Sequence, residues 1–311
     1  MSFPPRTVIG VLVFSVALGL AKSEEGTRCQ KRILVNVLNH NGEFMSGLEP
    51  SVFRAQLHGQ PLKVLTSTPT SAPPRIVILV DLSGSTHGVS KIARALAENI
   101  VVSSHQRPAL VLFSDHVIET VDFSHSPEEV VRKLDKLPES KGPTALYDGL
   151  KYAADLFGEP LLGDSVYLIS DGGENASKVR RTEVQSEFLA KGIRIYTFCL
   201  QIRVFPTEEE EGGPALLKGL SDLTGGEALN PKLDFSRSGQ DRLASELQKL
   251  YQKMTEFYEL QLDIPGELLR KRQRWDLEVL DRNGRKRKDL RVVYPHELNP
   301  CSESLGTASV R

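Results

Sequence analysis

Cysteine, aromatic residues and surplus charge are all scarce in this chain. Its 311 residues include three cysteines, one tryptophan and 6% aromatics in all. So few cysteines exclude a disulfide-dense scaffold, and no CxxC pair or Cys/His spacing offers a zinc site. The 39 basic and 40 acidic residues leave a net charge of −1, so nothing in the balance calls for nucleic acid or an anionic membrane as partner. Catalytic patterns are missing as well: there is no GxSxG, HExxH, GxGxxG or GxxxxGK[ST]. None of the seven histidines stands at metal-ligand spacing from another. Catalytic groups come as a constellation, and none is legible, so a non-enzymatic role is expected.

Near the N-terminus one long stretch is almost unbroken apolar, VIGVLVFSVAL at 8–18, and it is too short to span a bilayer comfortably. Arg6 precedes it, and Gly19-Leu20-Ala21 places small residues at the −3 and −1 positions. Residues 1–21 therefore read as a cleaved secretory signal. Its removal takes away Arg6 and no acid, which shifts the net charge to −2. The mature protein is expected to be secreted, periplasmic or associated with the cell envelope. In an oxidising compartment Cys29 and Cys301, which flank the mature chain, can pair, although spacing alone leaves the pairing open. Cys199, inside IRIYTFCLQI, reads as a buried free thiol.

Three segments follow the signal. The first, 22–72, is an N-terminal β segment in which residues 28–65 alternate apolar and polar, with Asn41-Gly42 and His58-Gly59 as turns, and read as short antiparallel strands. TSTPTSAPP, at 66–74, reads as a linker. Residues 73–256 then alternate buried strands with amphipathic helices, beginning with RIVILVD. That pattern predicts a doubly wound, mostly parallel sheet covered by helices on both faces. Residues 257–311 return to strand alternation, with Asn283-Gly284 as a hairpin signal. They are expected to pair with 22–72 in a smaller β-rich domain, into which the α/β domain is inserted.

One motif stands out. The strand IVILVD runs directly into LSGS, so Asp81, Ser83 and Ser85 crowd the carboxyl end of a buried strand, where open α/β sheets bind ligands. KGPTALYDGL puts Thr144 in a turn just before a helix, and YLISDGGEN puts Asp171 at the end of a neighbouring strand. Taken together, DLSGS, the Thr144 of GPTALYDGL and the Asp171 of SDGGEN resemble the von Willebrand factor type A (VWA) domain. They match its metal-ion-dependent adhesion site residue by residue. The segments on either side, GLEPSVFRAQLHGQPLKVL among them, look like the bacterial secreted VWFA-related family.

The resemblance implies that Ser83, Ser85 and Thr144 touch a metal, with Asp81 and Asp171 bound directly or through water. Hard, mostly neutral oxygen donors suit Mg²⁺, or another divalent cation such as Mn²⁺ or Ca²⁺. It further implies an adhesion-type module whose partner protein presents an acidic residue to the metal. Read by themselves, Ser83, Ser85 and Thr144 are helix caps and turn formers. Thr86 and His87 depart from the family pattern, where an apolar residue is common, and His87 is expected on a helix surface. Two other functions compete: polyanion binding by the basic tail (RKRQR at 270–274, RKRK at 285–288) and a metal-assisted hydrolase. Basic edge strands commonly just keep sheets from aggregating, and no proton acceptor accompanies the site. Glu208 to Glu211 reads as a solvated acidic loop, and Asn175-Ala176-Ser177 matches a glycosylation sequon.

Overall fold

The unbroken aliphatic run of RIVILVD becomes the middle of a sheet. In a computed structural model of the chain, the residues described are 28–71, 74–87, 90–104, 107–139, 141–200, 208–232, 234 and 236–301. Residues 1–21, expected to be a signal segment, lie outside them. The elements run β1 (Arg28–Leu38), β2 (Phe53–Leu57), β3 (Gln60–Ser71), β4 (Ile76–Asp81), α1 (Ser90–Ser103), β5 (Ala109–Phe113), β6 (Val117–Val121), α2 (Pro127–Leu134) and α3 (Leu146–Leu156). They continue as β7 (Ser165–Ser170), α4 (Arg181–Lys191), β8 (Arg194–Cys199), α5 (Glu208–Thr224), β9 (Ala228–Leu229), α6 (Arg237–Thr255) and β10 (Glu256–Pro265). Four short strands close the chain: β11 (Gln273–Arg274), β12 (Asp276–Val279), β13 (Arg291–Val293) and β14 (Glu297–Leu298).

The first sheet has the order β6-β5-β4-β7-β8-β9, parallel except for the antiparallel β5–β6 pair. Alternate residues of β4 serve the two faces. Ile76, Ile78 and Val80 meet Ala93, Leu96 and Ile100 of α1 together with Leu247, Leu250 and Met254 of α6. Val77 and Leu79 meet Leu146 and Leu150 of α3, Phe188 of α4 and Leu217 of α5. Each such side chain, fully removed from water, contributes about 1.5–3 kcal/mol of transfer free energy, which is why a strand buried on both sides is apolar at every position. The result is the doubly wound α/β layer expected from the alternation of strands and helices. From β4 the chain steps to β5 on one side and to β7 on the other, so the two loops diverging from β4 and β7 leave a crevice at the carboxyl edge.

The second sheet is antiparallel, in the order β12-β2-β3-β10-β1-β13, and unites both ends of the described chain around Val35, Tyr258, Leu260 and Trp275. Helix α6 runs into β10 with no intervening loop. Cys29 and Cys301 form a disulfide across 272 residues, with Cα atoms 5.9 Å apart, and Cys199 is a buried free thiol.

Two local readings change, and a third, the turn at Asn283-Gly284, holds. Residues 66–71 of the presumed linker lie in β3, paired with β10 from Gln261 to Glu256. Their threonines favour an extended backbone, and β3 pairs with β2 only over 60–62, so this stretch has an unpaired flank of the kind on which strands tolerate proline. Glu208 to Glu211 form the first turn of α5 rather than a loop. Asn283-Gly284 does make a tight turn, with Gly284 at φ +73°. Its immediate flanks close on each other as a short hairpin, with Asp281 N–H to Arg285 O at 2.8 Å and Arg287 N–H to Val279 O at 2.9 Å, while the longer strands pair outward, β12 with β2 and β13 with β1.

Candidate metal centre

Strands β4 and β7 end side by side, and their last residues start the cluster. Asp81 closes β4 and is fully buried. Its Oδ1 accepts the Ser83 backbone N–H at 2.9 Å, and its Oδ2 accepts the Ser170 hydroxyl at 2.6 Å. The Ser83 and Ser85 hydroxyls lie 3.0 Å apart. Thr86 is buried, and its hydroxyl donates back to the carbonyls of Asp81 and Ser83 at 3.0 and 2.9 Å, which fixes the turn that presents both serines. His87 is exposed.

The Thr144 loop is held on both sides. Lys141 N–H donates to Leu82 O, and Gly84 N–H donates to Gly142 O, both at 2.9 Å. The buried Ser114 hydroxyl donates to the carbonyls of Lys141 and Pro143. From the other side Asn175 Oδ1 accepts the Thr144 N–H at 2.9 Å, while the backbone N–H groups of Asn175 and Ala176 both reach Thr144 O at 3.0 Å. Glu174 and Ser177 accept from the first N–H groups of α3, so the helix following Thr144 is capped by the Asp171 loop.

Gly173 reveals where the oxygens converge. A Cβ built on it would lie 3.3 Å from Asp171 Oδ1, 3.5 Å from Thr144 Oγ1 and 3.9 Å from Ser85 Oγ. Three oxygens from three loops therefore surround one small space that glycine leaves open. Gly172, at φ +85°, admits the backbone of α5: a Cβ there would come within 2.5 Å of Gly213 O.

The electrostatics of the cluster are lopsided. Burial, and then the neighbouring Asp171 charge, push the Asp81 carboxyl up to about 6, against the opposing hydrogen bonds from Ser170 and Ser83. Cys199 beneath is pushed up to about 12 by burial and by Asp171, which leaves it an inert thiol. Two carboxylates thus share a buried pocket, and among the described residues no cationic side chain acts on Asp81. Ser83 makes no side-chain cap at its own turn, and the Thr144 hydroxyl makes no hydrogen bond among the described residues. The plain capping role for these hydroxyls is therefore not what the geometry shows.

The donor set fits a small hard cation: hydroxyls and carboxylates only, with no sulfur or imidazole. Among the described residues no group of three or more His, Cys, Asp or Glu side chains is placed to hold a metal, so any such site depends on the hydroxyls. Ser170 and Ser114 are supporting residues that the sequence motifs did not single out, and the sequence marks Asn175 only as a glycosylation acceptor. The closest signal was Ser170, a hydroxyl ending an otherwise apolar strand directly before Asp171.

A family model described as VWA domain containing CoxE-like protein matches residues 36–199, just over half of the chain. Among solved structures, an aerotolerance-related membrane protein from Bacteroides fragilis aligns at 16% identity and TM-score 0.44, covering 57% of this chain and 99% of that one. A von Willebrand factor type A protein from Catenulispora acidiphila aligns at 12% identity and TM-score 0.44, covering 90% and 74%. The manganese-loaded TRAP protein of Plasmodium vivax aligns at 15% identity and TM-score 0.42, covering 73% and 95%. Comparison with curated proteins found no match.

Proposed function

The chain belongs to the family of VWA domain containing CoxE-like proteins, and from that premise we propose an exported, non-enzymatic protein-binding module that works through a divalent cation. Ser83, Ser85, Thr144 and Asp171 would hold the ion, Mg²⁺ or alternatively Mn²⁺ or Ca²⁺, with Asp81 supplying charge from beneath. When bound, such a cation offers Lewis acidity to one more anionic oxygen, the carboxylate of an acidic side chain on a partner protein. The observation that carries this reading is the convergence of Asp171 Oδ1, Thr144 Oγ1 and Ser85 Oγ beside Gly173.

The chain's own residues explain the rest. Both oxygens of Asp81 already accept hydrogen bonds, so its contribution is mainly a fixed negative charge. Three neutral hydroxyls against two carboxylates keep the pocket from saturating a cation's demand for anions. The mutual hydrogen bonding of the three loops holds the oxygens in place without help from a ligand, a preorganised arrangement. The Cys29–Cys301 disulfide supports an oxidising compartment, and with the apolar stretch at 8–18 it supports export to the envelope or beyond.

Calorimetric titration with MgCl₂ and MnCl₂ tests the site. Wild type is expected to bind and Thr144→Ala to lose at least tenfold in affinity, with circular dichroism unchanged. Affinity capture from the native envelope is expected to return a partner with Mg²⁺ and to lose it in chelator. Capture that persists in chelator contradicts the proposal. The polyanion reading gains little from the basic hairpin, because Lys286 pairs with Glu278 and Arg287 with Asp289.

A further inference from the structure

At the amino ends of the parallel strands, opposite the oxygen cluster, the two sheets enclose a cleft of about 930 Å³. One wall is strand β1. It pairs with β10 from Arg28 to Val35, but with β13 only from Asn36 to Leu38. After β13 the chain swings away, ties Asn299 to Ser186 O of α4 and returns at Cys301 to its bridge with Cys29. Gln30–Leu34 of β1 line the space left between, with one flank paired to no strand among the described residues. At about 3.3 Å per residue, that open flank is roughly 16 Å long.

The charged side chains lining the cleft are mostly cationic, although Arg32 pairs with Glu259 and Lys191 with Glu187 just outside it. Its single acid, Glu297, is already paired with Arg272 and lies near Arg274. Arg270 and Lys271, on the rim, are exposed and have no ion pair or hydrogen bond among the described residues. At the base sits Arg194, 1% exposed, at the start of β8. Its terminal nitrogens donate to Met254 O at 2.7 Å, Lys253 O at 3.1 Å and Asn36 Oδ1 at 3.4 Å, while its Nε has no partner. The two carbonyls are at the C-terminus of α6, which offers roughly half a negative charge. Among the described residues no carboxylate pairs with Arg194. Leu161 and Leu162, 58% and 40% exposed, form an apolar lip.

We infer that this cleft receives an extended acidic segment of a partner protein, added as a strand along Gln30–Leu34, with its carboxylates meeting Arg270 and Lys271 and its apolar side chains on Leu161 and Leu162. An unpaired strand flank supplies main-chain hydrogen bonds, and the surrounding cations and leucines select the side chains. The module then has two independent contacts at opposite ends, one dependent on metal and one not.

Selection from a random octapeptide display library against the full chain, in EDTA, tests this without involving the metal centre. Enriched peptides are expected to carry Asp or Glu alternating with Leu, Ile or Val, and to lose binding at least tenfold between 50 and 500 mM NaCl. Arg270→Glu/Lys271→Glu is expected to weaken them at least tenfold, and Leu161→Ser/Leu162→Ser about threefold, with melting temperatures unchanged. Synthetic versions N-methylated at alternate residues are expected not to bind. Failure to enrich such peptides, or full binding by the charge-reversed variant or by the N-methylated peptides, overturns the inference. So does charge-dependent co-sedimentation with phosphatidylglycerol vesicles in the absence of any peptide binding, which would make the cleft a lipid-headgroup site. Because every measurement is made in chelator, loss of the metal-dependent reading would leave this result standing, and the reverse.

Discussion

The parallel sheet buries charge at both ends, Asp81 and Asp171 at the carboxyl edge, Arg194 and the Arg75-paired Asp164 at the amino edge, and Asp81 and Arg194 are treated differently. Asp81 at the carboxyl edge and Arg194 at the amino edge are both almost wholly removed from water. Arg194 is embraced by helix-end carbonyls and lies over the rings of Phe257 and Tyr196, 4.6 and 5.4 Å from their centroids. Asp81 has two hydrogen-bond donors, but its nearest charged neighbour is another carboxylate. A buried charge held by dipoles is a structural member; a buried charge set beside its own sign is a site lacking its counterion. The ends also differ in covalent support, since only the lower one is tied by a disulfide.

That contrast predicts opposite responses to removing the two charges. Arg194→Ala leaves a cavity of side-chain size where the two sheets join, and it strips Met254 O of its donor. A destabilisation of about 3–5 kcal/mol is expected from denaturant melts. If that variant loses less than about 1 kcal/mol, the arginine is not the joint that its contacts describe. Replacing Cys29 and Cys301 by serine should cost about 2–5 kcal/mol, read as a lowered melting temperature, because a very long loop is no longer closed in the unfolded chain.

Asp81→Asn should act the other way in chelator. The folded carboxyl titrates near 6, above its ordinary value of 3.8, so the folded state holds more protons than the unfolded state between those values. The ionised form therefore weakens the fold above pH 6, and the penalty fades as pH falls toward 4. In EDTA the asparagine variant is expected to be more stable than wild type by up to about 3 kcal/mol at pH 7.5. The two should converge near pH 4, and Mg²⁺ should reverse their order at neutral pH by stabilising only wild type. An asparagine variant that is less stable than wild type in EDTA at pH 7.5 would show that the hydrogen bonds outweigh the repulsion.

The upper end was far more legible in the sequence than the lower. Asp81, Ser83 and Ser85 fall within five residues after an unmistakable buried strand, and Thr144 and Asp171 sit at turns whose place follows from strand–helix alternation. What lay out of reach were partners fixed only by folding. Ser170 looks like the end of a strand until β7 is laid beside β4. Asn175 looks like a glycosylation acceptor until its carbonyl oxygen is seen to hold the Thr144 N–H. The lower end is assembled from β1, α4, β8, the segment after β10 and the last described residues, each unremarkable in isolation. Arg194 in particular sits inside IRIYTFCL, where a lone arginine in an apolar strand carries no motif. TSTPTSAPP misled because proline and small polar residues mark loops by frequency, while a strand with an open flank tolerates them.

The smallest expected effect gives the sharpest test of the upper end. Gly173 is not at a left-handed φ, so alanine there meets no backbone penalty of the kind that Gly172 would suffer. Its methyl would stand 3.3–3.9 Å from the Asp171, Thr144 and Ser85 oxygens, which are ordinary to slightly tight contacts. The folded chain should therefore change in stability by less than about 1 kcal/mol. A cation drawing on those oxygens needs the space the methyl takes, so Mg²⁺ affinity in calorimetry should fall at least tenfold, equivalent to about 1.4 kcal/mol. Peptide binding at the lower cleft should not change. Gly173→Ala thus separates the geometry of the oxygen cluster from its charge, which Asp81→Asn removes. If the methyl is tolerated with full metal affinity, the ion does not sit among these three oxygens, and the contrast between the two ends rests on charge alone.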